Sequence, residues 1–301
     1  MTDTLSILGM GTVVVDHQVM VRELPKPDAK AEILSDRFQI GGPVPTALAL
    51  LTRFGASAAF IGKWATDRWG EMIEDDLGQA QIDLGQAVVS PAVRTGFAHV
   101  WVEVETGRRS IAAYRGSHPI EPEDLEGVAW PSFQALHLDA WPSDTAIEAA
   151  RQMKATGGKV FIDFGSPKPD WESLVGLADL VNCPRRLLET LFPGDPMETA
   201  AKHLVGLGAG QITVTNGESG AWFFDSATTL HQPAFPVEAV DTNGAGDVFT
   251  GSMIYATLQN WPMRRRMRFA SAAAALKCQQ IGNRGSLPSL KQIESFLSAT
   301  G

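Results

Sequence analysis

The chain is poor in the residues that build cross-linked or metal-clustered proteins. Its 301 residues include only two cysteines, Cys183 and Cys278, far apart in the sequence. That spacing argues against a disulfide framework or a cysteine metal cluster and leaves two small apolar side chains as the expected reading. Basic residues are scarce as well: 25 Lys and Arg stand against 34 Asp and Glu, a net charge of −9. Phosphate backbones are held by clustered cations, so no nucleic-acid partner is expected. The one basic run, Arg264-Arg265-Arg266 with Arg268, opens an amphipathic segment and is expected as a solvated helix face. No apolar run approaches the roughly 20 residues that span a bilayer, and no membrane partner is expected. At the N-terminus Met1 to Ser6 carries an acid and no basic cluster, and the apolar run that follows is broken by Gly9, Gly11 and Asp16. This is unlike a secretory signal, so a cytoplasmic protein is expected.

What remains is ordinary globular composition, 44% hydrophobic and 20% charged, in a chain long enough to bury a large core. Short apolar strands at 5–8, 58–62, 135–139, 160–163, 180–182 and 212–215 alternate with helical patterns at 46–54, 69–80, 144–156, 185–191 and 197–207. Such alternation predicts an α/β fold in three layers, a mainly parallel central sheet covered by helices on both faces. Sites in such sheets lie at the carboxyl ends of the strands. Two stretches, about 19–40 and 94–114, break the rhythm. Within the second, Ala98, Val100, Val102 and Val104 alternate with Phe97, His99, Trp101 and Glu103, a period of two that marks a strand. With Glu105-Thr106-Gly107-Arg108 as a turn it would pair with 110–114 as a hairpin. These pieces predict a small β-sheet lid on a single domain covering 1–301; an antiparallel edge of the main sheet is the alternative.

The stretch with most chemistry is Asp241-Thr242-Asn243-Gly244-Ala245-Gly246-Asp247, which leads into a helical pattern from Val248 to Leu258. The Pro-punctuated 234–240 before it reads as an extended edge, giving the order strand, tight turn, helix N-terminus. Backbone N–H groups at a helix start attract anionic oxygens, and Gly244, Ala245 and Gly246 leave room for a phosphate. Asp247, on the first turn, could take the proton of an attacking hydroxyl. The same turn would also serve as a capped helix start with no ligand.

This seven-residue string resembles the C-terminal signature of the ribokinase-like (PfkB) carbohydrate kinases, and the likeness extends over essentially the whole chain. The resemblance implies a ribokinase-like fold and ATP-dependent phosphorylation of a hydroxymethyl group on a sugar, a ketose or related furanose. Asp247 would be the base, with the Gly244, Ala245 and Gly246 amides stabilising the transferring phosphoryl group. Asp16, Gly41, Gly42 and Thr46 would face the sugar, and Asn182, Thr215, Gly217, Gly220, Thr242, Gly244, Gly246 and Asn283 the ATP. Mg²⁺ would be held through ATP and water rather than by side chains, and a monovalent cation such as K⁺ is implied near Asp241. Pairing of lids would give a homodimer.

The chain departs from the family's pattern in places. Thr46 stands where Asn is usual, and Asn182-Cys183-Pro184-Arg185 has Arg185 where many members carry Glu. From His231 to Cys278 the likeness is strongest to members of sulfofructose kinase and ketohexokinase type, but Ala140 occupies the place expected of a sulfonate-binding Arg. Tyr114-Arg115-Gly116-Ser117 resembles the Tyr-Arg-x-x-Ser region that meets a carboxylate in 2-keto-3-deoxygluconate kinases. Arg115 is thus a candidate for binding an acidic sugar, and a plain surface arginine is the equal alternative. From another class, a nucleotide- or sugar-binding protein that has lost catalysis is the competing reading.

Overall fold

Strands Ser6–Met10, Ala135–Leu138, Lys159–Asp163 and Leu180–Pro184 are buried almost end to end, which requires cover on both faces. In the computed structural model, which describes residues 4–105 and 109–300, they form the centre of a nine-stranded sheet. From one edge to the other the sheet runs Thr229–Gln232, Ala221–Phe224, Ile212–Thr215, Leu180–Pro184, Lys159–Asp163, Ala135–Leu138, Ser6–Met10, Ser57–Ile61 and Ile82–Asp83. Pairing is parallel from Ile212–Thr215 to Ile82–Asp83, and the last two strands at the other edge are antiparallel. One apolar layer packs Val44, Leu48, Val248, Met253 and Phe269 against one face; the other packs Ala146, Met153, Leu187 and Leu204 against the opposite face.

Helix boundaries follow local chemistry. Asp67 caps helix Arg68–Gln79 by accepting from the N–H groups of Trp69 and Gly70. Ser289 and Gln292 form a reciprocal capping box at the start of Leu290–Ala299, a helix outside the sequence expectation. The expected helices are all present, displaced by at most a few residues. Among the described residues no helix is long and apolar enough to cross a membrane.

The lid is a four-stranded sheet in the order Ile33–Gly41, Val14–Val21, Phe97–Glu103, Arg109–Tyr114. The expected hairpin is present, Phe97–Glu103 antiparallel to Arg109–Tyr114. Its predicted turn at 105–108 lies outside the described residues from Thr106 to Arg108. Two expectations need correcting. The lid begins at Val14 rather than near 19, so Asp16 belongs to a lid strand, opposite Gln39 and Ala98, and not to the mouth of the first body strand. The segment 234–240 joins no sheet. Pro233 just before it and Pro236 within it lack ladder donors, and the segment is anchored instead at its end, where Val240 N–H donates to the Cys278 carbonyl at 2.7 Å.

Candidate active site

Helix Ala245–Leu258 begins at Gly244, whose φ of 78° is open to glycine at little cost, and no side chain caps it. The N–H groups of its first turn and the positive end of its dipole therefore meet no side-chain cap, and such groups attract anions. Gly246 is exposed, and a Cβ there would meet nothing within 4 Å. The protein thus leaves a phosphate-sized approach to these amides. Asp247 lies on the same turn, and its carboxylate is directed back toward Gly244.

Three carboxylates meet at this end of the sheet. Asp163 ends strand Lys159–Asp163, Asp139 follows strand Ala135–Leu138, and Asp247 stands across from them on the helix. Asp163 is pushed up to about 7, first by burial, then by the negative charge of Asp247, with a smaller push from Asp139. Thr250 opposes this by donating to Asp163 Oδ2 at 2.8 Å. Asp139 is also raised, by burial above all, while the Thr12 N–H at 2.9 Å and the Trp141 N–H at 3.1 Å hold its charged form. Neither Asp139 nor Asp163 is in the sequence-derived set. Both stand at the carboxyl ends of adjacent buried strands, which is the signal that would have found them.

Asp16 approaches from the lid. Its carboxylate packs so closely on Gly41 that any side chain there would collide with it, and Gly42, at φ 113°, likewise packs on the Thr12 carbonyl. The Thr12 N–H donates to Asp139, so the Thr12 backbone links Gly42 to Asp139.

Several expected residues serve as braces instead. Thr46 is fully buried; its hydroxyl donates to the Gly42 carbonyl at 2.9 Å and accepts from Asn283 at 3.2 Å and Arg284 at 3.1 Å. It is therefore a linker under the site, not an open sugar ligand. Asn283 is buried with it, donates to the Ile40 carbonyl at 2.9 Å, and places its Oδ1 against Gly244. Asn182 is buried too, with its amide donating to Thr250 at 2.8 Å and its Oδ1 accepting from Thr213 at 2.9 Å; it props the helix that carries Asp247. Arg185 turns to Glu189 at 2.8 Å. Thr215 ends its strand at the open side, with Gly217 in the turn beyond it. Gly220, at φ 91°, packs on the Gln232 carbonyl and is needed by the backbone. Thr242 is exposed beside the cradle.

Tyr114 and Arg115 part company. Tyr114 stands opposite Phe97 and so on the lid face away from Asp16, where the Arg94 guanidinium lies 5.0 Å from its ring centroid. Arg115 instead lies 5.7 Å from the centroid of Trp141, and Lys168 lies 5.9 Å from the same ring. Lys168 is lowered by burial and then by the Arg115 charge, more than the Asp139 carboxylate raises it. The backbone at this corner is unusual, with Ala140 at φ 64° beside a cis Trp141-Pro142 bond.

An uncapped helix start, a carboxylate on its first turn and further acids at the carboxyl ends of neighbouring strands are the arrangement that phosphoryl transfer on a parallel sheet calls for. The chain belongs to the pfkB family of carbohydrate kinases, whose family model matches residues 5–290. It is 28% identical over 295 residues to an ATP-dependent ribose-1-phosphate kinase of Halopiger xanaduensis, covering 97% of this chain and 98% of that one. It is 25% identical to the ketohexokinase of Mus musculus, covering 90% and 95%. The crystal structure of ribokinase from Thermotoga maritima superposes with a TM-score of 0.84 at 25% identity, covering 98% of this chain and 99% of that one. The ribokinase-like fold and the phosphotransferase class are thus shown.

Proposed function

We propose that this chain transfers the γ-phosphoryl group of ATP to a hydroxymethyl group of a sugar. The observation that carries this reading is Asp247 on the first turn of an uncapped helix whose Gly246 leaves the anion approach open. The hydroxyl oxygen attacks the γ-phosphorus as its proton passes to Asp247, the bond to the β-phosphate oxygen breaks, and ADP leaves. Amides of Gly244, Ala245 and Gly246 bind the charge on the transferring group. Asp16 and Asp139 hold sugar hydroxyls by accepting their hydrogens, with Gly41 and Gly42 allowing close approach. Magnesium would be carried in by ATP oxygens and water rather than held by side chains. Such an ion would neutralise phosphate charge. Thr215, Gly217 and Thr242 border the nucleotide side.

Arg115 and Lys168 favour a finer reading, a sugar that carries an anionic group. Two cations stand over the Trp141 ring, and at Lys168 the repulsion from Arg115 outweighs the pull of Asp139. An anion between them would relieve that repulsion. The Halopiger relative, by its name, acts on a sugar phosphate. A coupled ADP-release screen of neutral ketoses and pentoses, sugar phosphates and acidic sugars tests both levels. An anionic best substrate is expected, with Arg115→Ala raising KM about 10-fold or more while kcat changes little. A neutral best substrate that Arg115→Ala handles unchanged would make Arg115 structural. Saturable ATP binding with no ADP from any sugar would instead support a binding protein.

A further inference from the structure

The ribokinase-like resemblance implies a monovalent cation beside Asp241, and the residues present do not fit one. Lys277 is fully buried, and its ammonium donates to the Asp241 carbonyl at 2.8 Å and stands 3.5 Å from Asp241 Oδ2. The Arg37 guanidinium lies 3.7 Å from the same Oδ2. Among the described residues the carboxylate also accepts from backbone donors, the Asn243 N–H at 2.9 Å on Oδ1 and the Gly282 N–H at 3.0 Å on Oδ2. A metal cation on these oxygens would stand against an ammonium and a guanidinium in a low-dielectric interior, where like charges repel most strongly.

We propose that the Lys277 ammonium takes the place of the monovalent cation, so that this chain's catalytic turn is held in its working shape without potassium. Asp241 opens the turn that ends at the helix cap Gly244, so whatever fixes Asp241 fixes the anion cradle. The clamp is double. Lys277 holds the Asp241 carbonyl and faces its carboxylate, while the neighbouring Cys278 carbonyl accepts from Val240 N–H at 2.7 Å and Asp241 N–H at 3.1 Å. A tethered ammonium supplies the positive charge at fixed concentration and loses no translational freedom on each encounter. Burial pulls the Lys277 amine down from its usual value, and the Asp241 charge pushes it back toward the charged form. Lys277 is a positioning residue, since it reaches the cradle only through Asp241. In sequence it is a single lysine closing the alanine-rich run 272–275 of helix Met263–Cys278, an unusual place for a charge unless it is paired.

The kinetic part of the test rests on the kinase reading, and the thermal part does not. Wild type and Lys277→Met are assayed for ADP release with saturating ATP, Mg²⁺ and the best sugar, in chloride salts of potassium, sodium, ammonium or tetramethylammonium at equal ionic strength. Melting temperatures are recorded in the same four salts without substrate. Wild type is expected to vary less than about twofold in kcat and to keep one Tm, whereas Lys277→Met loses about 10-fold in kcat and regains most of it in potassium or ammonium only. Activation of wild type by potassium beyond about threefold, or a potassium-specific rise in its Tm, would overturn the proposal. So would a folded Lys277→Met with full activity in tetramethylammonium, or a loss that no cation restores. If the variant does not fold, the wild-type comparison still decides. If no sugar yields ADP, the kinase reading fails and the wild-type melting series alone decides the Lys277 question.

Discussion

In the nine-stranded sheet, strand Lys159–Asp163 is buried from Val160 onward and ends on an acid, whereas in the lid Ile33–Gly41 runs from exposed Ile33 and Leu34 to buried Ile40 and Gly41. The contrast extends to polar groups. At the body end Asp163, Thr250, Asn182 and Thr213 form a chain of hydrogen bonds, each partner buried. On the lid, His17 meets Asp36 at 2.8 Å and His99 at 3.2 Å on a partly open aromatic face. Buried polar networks tolerate no slack, because each unpaired group costs a desolvation penalty. The body can therefore hold reacting atoms in place, and the lid can vary what it touches. If that division holds, damage at the cradle should abolish chemistry, and damage on the lid should change binding and assembly.

The largest effect is expected at Asp247. Asp247→Asn keeps the shape of the first turn and removes the proton acceptor, so kcat should fall about 10²- to 10⁴-fold while ATP still binds. Near wild-type turnover in a clean preparation would show that the body does not supply the base. Gly246→Ala separates cradle from scaffold more sharply. A Cβ at that position meets no protein atom, and alanine favours a helix over glycine, so Tm should hold or rise. The methyl would nonetheless stand in the phosphate approach, and ATP turnover is expected to drop about 10-fold or more. Unchanged turnover would place the phosphate elsewhere.

How much of this was legible in the sequence follows the same division. Body strands were readable because burial on both faces leaves uninterrupted apolar runs, and Ile212–Thr215 begins and ends where the pattern puts it. The Asp241 to Asp247 turn was readable because its chemistry is local. Thr46, Asn182 and Asn283 were misplaced because their partners come from distant segments: Asn283 reaches Ile40, and Asn182 reaches Thr250. A motif marks a position near the site without saying which way the side chain turns. Edge strands Ala221–Phe224 and Thr229–Gln232 went unread because each is only four residues long, the first a short apolar run and the second mostly polar. Asp16 was assigned to the wrong sheet because the break between strands at Gly11 and Thr12 leaves little trace in hydrophobicity.

A smaller effect is expected on the lid. Among the described residues its exposed large apolar side chains include Ile111 on the face that carries Asp16, and Phe38 and Tyr114 on the opposite face. The Ile111 side is a patch that pairing with a second lid would cover. Homodimerisation through the lid is expected, with a dimer at micromolar concentration in sedimentation and Ile111→Asp shifting it toward monomer. A monomeric wild type would leave the patch for closure over substrate.

The smallest effect concerns Asp163, where the body has accepted an unfavourable charge. Its folded value is raised to about 7 from an ordinary 3.8, so between those values the native protein holds a proton that the unfolded chain has released. Stability contributed by this group accordingly falls as pH rises through that window, and the full cost is present above it. Asp163→Asn keeps an oxygen to accept from Thr250 and removes the repulsion with Asp247. The variant should therefore melt about 2–5 °C above wild type at pH 8, with the gap closing toward pH 5. His137, buried and lowered to about 4, works in the opposite direction by losing stability as pH falls, but it is common to both proteins and cancels in the difference. Differential scanning calorimetry of the two proteins across that range gives the answer. A gap of equal size at both ends would mean that packing, and not the crowded carboxylates, sets the stability of this corner.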